Sequence, residues 1–154
     1  MVLRVLAVLL LSAACPATFA QQGQCDSAAF REAIAAASAT ITQLHKKNGK
    51  IFQENLQKLR ALNNWQEADY VANATPFVKD ETTATLDAAN QALLAKMQTL
   101  DAAGANTEPG RCAMLSEVKL VMQQVVANTV SKWEHMLDKL ARASARPIQA
   151  GFRP

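Results

Sequence analysis

Apolar residues recur along most of this chain at steps of three and four. Phe30, Ile34, Ala37, Ile41 and Leu44 form one such stripe, and Ile51, Phe52, Leu56, Leu59 and Leu62 form another. This spacing places side chains on one face of a helix. Between the two stripes lies Asn48-Gly49, a dipeptide that favours tight turns. From Leu44 to Ile51 is two helical turns, so the stripe crosses the dipeptide in phase. A helix that ended at Asn48 would have no reason to keep that phase. The pattern therefore predicts one long first helix, N-capped by Asp26, with Asn48-Gly49 as a candidate kink.

A third stripe, Leu86, Ala89, Leu93, Met97 and Leu100, follows the capping pair Asp80-Glu81 and ends near Ala103-Gly104. The last and longest stripe runs through Leu115, Val118, Met122, Val125, Thr129, Trp133, Met136 and Leu140. Asn106 or Thr107 is placed to cap that helix, with Pro109 in its first turn. Between the first and third stripes, Trp65, Tyr70, Val71, Phe77 and Val78 are expected to cover an open end of the bundle on a short capping segment. The chain has only five glycines and five prolines, and alanine is abundant. Residues that favour strands are sparse outside 118–130, so the reading is all-α.

The N-terminus changes what the cysteines mean. Arg4 precedes the apolar run Val5 to Leu11, and Thr18-Phe-Ala20 ends in small residues suited to signal-peptidase cleavage. Residues 1–20 read as a secretory signal peptide cut near Ala20, and the run is too short to span a bilayer. Ser12-Ala-Ala-Cys15 resembles a bacterial lipobox, whose cysteine is acylated, but Ser12 stands where a large aliphatic residue is preferred. Cleavage at Ala20 would remove Cys15, leaving Cys25 and Cys112 in a compartment where disulfides persist.

That pair selects a topology. If the chain reversed at Asn48-Gly49, Cys25 and Cys112 would lie at opposite ends, beyond the ~7 Å Cα separation a disulfide tolerates. If the first helix runs through, they meet at one end. The expected fold is an elongated antiparallel bundle of three long helices plus a short capping segment. A four-helix up-down bundle with cysteines unpaired, or paired between molecules, is the alternative. Residues 21–140 form the single helical domain, and 141–154, with Arg142, Arg146 and Arg153, read as a basic flexible tail.

Charge adds one feature. Removing Arg4 lowers the formal net charge from +3 to +2, too little to imply nucleic acid. Its distribution is uneven, however. Lys46, Lys47, Lys50, Lys58 and Arg60 face only Glu54 in their stretch, whereas 61–108 is predominantly acidic. One reading is that the two faces attract each other across the bundle; the other is a surface for an anionic protein partner.

Chemistry is otherwise thin. There is no nucleophile elbow, phosphate loop, paired zinc histidines or Ca²⁺ loop, and no Cys-x-x-Cys. His45 and His135 each sit one place off an apolar stripe. They are the candidate ligands if the bundle carries haem or metal, with methionines such as Met97 or Met122 beside them. The expectation is a non-enzymatic, exported bacterial envelope protein that binds or self-associates through its helix faces, with no cofactor. The alternative is a periplasmic haem or metal carrier.

Overall fold

A computed structural model describes residues 25–100 and 107–145. The expected signal peptide, the lipobox-like cysteine Cys15, the Ala103-Gly104 stop and the tail beyond Ala145 lie outside the described residues. Four helices follow in order: α1 (Ser27–Leu62), α2 (Tyr70–Val78), α3 (Glu81–Leu100) and α4 (Glu108–Ala145), with a 3₁₀ turn at Glu67–Asp69 before α2. Together they form an all-α helical bundle.

Helix α1 has 36 residues and runs unbroken through Asn48-Gly49, a length of about 54 Å. It opens where expected: the Asp26 carboxylate accepts a hydrogen bond from the Ala29 N–H at 2.9 Å. Its end carries the turn chemistry that Asn48-Gly49 did not use. Asn64 adopts φ 51°, the Trp65 N–H bonds the Arg60 carbonyl at 3.1 Å, and the Asn64 N–H bonds that of Ala61 at 3.4 Å. This crossed pair is a Schellman cap, with asparagine in the left-handed place that glycine usually takes. It satisfies the last carbonyls of α1 and turns the chain toward α2.

Helix α4 is the common partner of the others. Both α1 and α3 pack closely along it, and α2 touches its far end. Near the disulfide end, Ala37 of α1 joins Val118, Val121, Met122 and Val125 of α4, with Leu93, Met97 and Leu100 of α3 packed against them. At the other end, Phe52, Leu56 and Leu59 meet Met136 and the fully buried Leu140. Trp65, Tyr70 and Phe77 close this second cluster, as the pattern predicted. Val71 and Val78 do not: they are 73% and 38% exposed, because the short helix α2 turns those positions outward.

Cys25 and Cys112 form a disulfide, with Cα atoms 4.9 Å apart. Helices α1 and α4 therefore start at the same end and run parallel, while α3 runs antiparallel to α4. The four-helix up-down alternative is thus replaced by three long passes and a short α2. Helix α4 continues to Ala145, so the first five residues of the stretch read as a tail are helical. An Arg142–Asp138 ion pair and the packing of Ala143 on the second cluster hold this last turn.

Gly49 sits where α1 passes Trp133. A Cβ added there would lie 3.8 Å from the Trp133 ring, an ordinary contact. The indole also meets His45 edge-on, with ring centres 5.6 Å apart, and Phe52 at 6.3 Å. Close packing over one stretch of α1 offsets the cost of a helical glycine, which is about 1 kcal/mol.

Candidate functional site

Four lysines of the expected partner surface share the outward side of α1. At 3.6 residues per turn, Lys46, Lys47, Lys50 and Lys58 fall within an arc of about 120°, spread over about 18 Å. All four are exposed. The buried Phe52, Leu56 and Leu59 occupy the opposite side. Among the described residues, only Lys50 of these four has an acid close by, Glu54 at 3.9 Å, and both of those side chains are more than half exposed. A pair of that kind contributes little.

Arg60 is not part of this face. Its guanidinium binds the Glu67 carboxylate at 2.5 Å and lies 5.2 Å from the centre of the Tyr70 ring. It ties the end of α1 to the following turn.

The expected attraction between basic α1 and the acidic 61–108 stretch is also redirected. Asp87 of α3 pairs with Lys132 of α4 at 2.6 Å. Lys96 pairs with Glu117, and Asp80 with Lys139 at 2.5 Å. Between these, the Asn128 amide of α4 donates to Asn90 of α3 and accepts from Gln124, each at 2.9 Å. At α3 the polar positions on the α4 side are Asp80, just before the helix, and Thr83, Asp87 and Asn90; on α4 they are Asn128, Lys132, His135 and Lys139. Both sets step by three and four, and antiparallel packing brings them together as a polar seam. Two acids of that stretch, Asp80 and Asp87, are thus used on α4, while Glu67 pairs with Arg60 at the end of α1.

Asp80 is the most connected residue of that seam. One carboxylate oxygen accepts from the Thr83 N–H at 2.9 Å, while the Thr83 hydroxyl accepts from the Asp80 N–H at 2.9 Å. This is a reciprocal cap on α3. The other oxygen meets His135 Nε2 at 2.7 Å and the Lys139 ammonium. Lys139 also donates to the Pro76 carbonyl at the end of α2. The Lys139 ammonium, then His135, then the Thr83 N–H hold the Asp80 carboxyl well below the usual carboxylate range.

The histidines are not brought together. His45 is exposed on α1 and leans on Trp133, whereas His135 points to Asp80 on the other side of α4. Among the described residues, no cluster of three His, Cys, Asp or Glu side chains is arranged to hold a metal. His135 is occupied as a helix-to-helix contact.

An open trough was not anticipated. It lies at the disulfide end, where α1 and α3 stand apart above α4, and has a volume of about 870 Å³. Phe30 and Ile34 form one wall, Leu94 and Met97 the other, and Met114 and Val118 the floor. Arg31 and Arg111 also line it. The stripes had assigned Phe30, Ile34, Met97 and Val118 to a closed core; Ile34 is in fact 39% exposed.

Comparison with protein-family models, curated proteins and solved structures finds no match for this chain.

Proposed function

We propose that this chain is an exported, non-enzymatic adaptor of the bacterial envelope that binds an acidic protein partner through the lysine face of α1. The supporting observation is the way charge is distributed over the helices. Lys46, Lys47, Lys50 and Lys58 gather on one exposed side, while the α3 acids Asp80 and Asp87 are engaged by α4. A face of four lysines opposed by one acid, Glu54, keeps a net positive charge that attracts and orients an oppositely charged surface. The Cys25–Cys112 disulfide suits an oxidising compartment. No described helix is long and apolar enough to cross a membrane. The haem or metal reading has weaker support, since His45 and His135 face apart.

Affinity capture from periplasmic extract tests this, with the wild-type protein and a Lys46→Glu, Lys47→Glu, Lys50→Glu variant as parallel baits. All three positions are exposed, so the variant should fold normally. The expected result is an acidic protein retained by the wild type, lost from the variant, and eluted as salt shortens the screening length. An identical set of proteins on both baits would reject the lysine face as the partner surface.

A further inference from the structure

We infer that the trough between α1 and α3 binds a single-chain fatty carboxylate, its alkyl chain along the apolar walls and its head group at Arg31. This is a site separate from the lysine face, and it rests on different residues.

Its dimensions come first. At about 870 Å³, the trough falls within the ~300–1,000 Å³ typical of small-molecule sites. Its walls are mostly apolar, as such sites require, and they are left uncovered. Ile34 and Leu94 are large aliphatic side chains with 39% and 46% of their surface exposed. Covering apolar surface of this kind releases about 25 cal/mol per Å², which favours a flexible alkyl chain laid along the gap. Met97 and Met114 line it from α3 and α4. Unbranched thioether side chains adjust to irregular apolar ligands at little cost.

Charge chooses the head group. The charged residues lining the trough are Arg31 and Arg111, and no acid among the described residues lines it. Arg31 lies one residue from Phe30 and three from Ile34 on α1, so its guanidinium stands at the edge of the apolar wall. No described carboxylate pairs with it. A planar guanidinium matches a carboxylate through two parallel N–H donors. A cationic amphiphile would meet a like charge there, and a neutral one would leave Arg31 unused. A bilayer surface is a poor fit, because the apolar residues form the inside of a trough and not a convex face.

Isothermal titration of laurate into the purified, disulfide-bonded protein, below the micellar concentration, tests the assignment. Dodecyltrimethylammonium serves as the chain-matched cation, and phosphatidylglycerol vesicles as the bilayer arm. The expected result is saturable one-to-one laurate binding, with at least roughly tenfold weaker binding by Arg31→Glu, since a charge-assisted hydrogen bond is lost and repulsion gained. Ile34→Asp should also weaken binding, and Lys58→Glu should leave it unchanged. Both Arg31 and Ile34 reach solvent, and circular dichroism verifies that each variant is helical. Four outcomes overturn the site: no laurate binding, uptake of many laurates per chain, equal affinity for dodecyltrimethylammonium, or unchanged binding by Arg31→Glu. Binding to vesicles without binding of free laurate would overturn it as well.

Discussion

Helix α4 carries two unlike seams. Toward α1 it presents Val118, Met122, Val125, Met136 and Leu140, which interlock with Ala37, Phe52, Leu56 and Leu59. The disulfide fastens that seam at its start. Toward α3 it presents Asn128, Lys132, His135 and Lys139, which meet Asn90, Asp87 and Asp80, and beyond them an apolar stretch on which Leu93, Met97 and Leu100 rest. Burial follows the same division. The α4 positions facing α1 are largely buried, whereas the α3 stripe residues Leu86, Leu93, Met97 and Leu100 are only half covered. Apolar burial supplies most of the free energy of folding, and partly exposed ion pairs supply far less. The first seam therefore holds the molecule together. The second fixes where α3 lies, since a polar ladder is satisfied in one register and unsatisfied in its neighbours.

Breaking the disulfide is the largest test of this contrast. The pair is separated by 87 residues, and opening a loop of that size costs about 4.5 kcal/mol on the chain-entropy estimate. A Cys25→Ser, Cys112→Ser variant should lose about that much in urea unfolding. Its α1–α4 seam should stay helical at low denaturant, because the apolar contacts remain.

Asp80→Asn attacks the second seam. It keeps the volume but removes the charge that Lys139 and His135 share, and it should lower the unfolding midpoint at pH 7. The wild type should show the matching pH dependence. Asp80 is held below its unfolded value, so it stabilises the fold above about pH 4, the ordinary value for an aspartate. That contribution fades as the pH falls further and the folded-state carboxyl protonates. Thermal unfolding between pH 7 and pH 2 should therefore converge for wild type and Asp80→Asn at the acid end. Parallel curves across the whole range would mean that the charge contributes nothing.

The smallest effect expected is a gain. Gly49 lies in the middle of α1, and a methyl group there meets Trp133 at 3.8 Å without a clash. Gly49→Ala should stabilise the protein by about 0.5–1 kcal/mol through helix propensity and a less flexible unfolded chain. A loss of stability would mean that α1 needs the bend a glycine permits.

The first seam was legible in the sequence, and the second was not. Continuity of the stripe across Asn48-Gly49, together with the need for Cys25 to reach Cys112, favoured a continuous helix over a reversal at residue 48. Both arguments rest on apolar spacing and covalent reach, which are local or absolute constraints. The polar seam was present too, as Asp80, Thr83, Asp87 and Asn90 on one helix and Asn128, Lys132, His135 and Lys139 on the other. Its three-four steps match those of the apolar stripes, but polar residues at such spacing usually face water, so the pattern pointed to no partner. For the same reason, the charge complement of α3 was sought on α1 and found on α4. The trough was hidden for the opposite reason. Phe30, Ile34 and Met97 fit a core stripe, and only the separation of α1 from α3 at that end leaves them uncovered. His135 illustrates the same limit: a lone histidine beside a stripe says nothing of a carboxylate 55 residues earlier in the chain.

Native-state hydrogen exchange in low denaturant tests the two-seam account most directly. Amides of 81–100 in α3 should exchange through a partial opening of lower free energy and smaller denaturant dependence than global unfolding. Amides around Phe52 to Leu59 in α1 and Val121 to Leu140 in α4 should exchange only through global unfolding. If α3 and α1 exchange with the same free energy and the same denaturant slope, the seams are equivalent and the account is wrong.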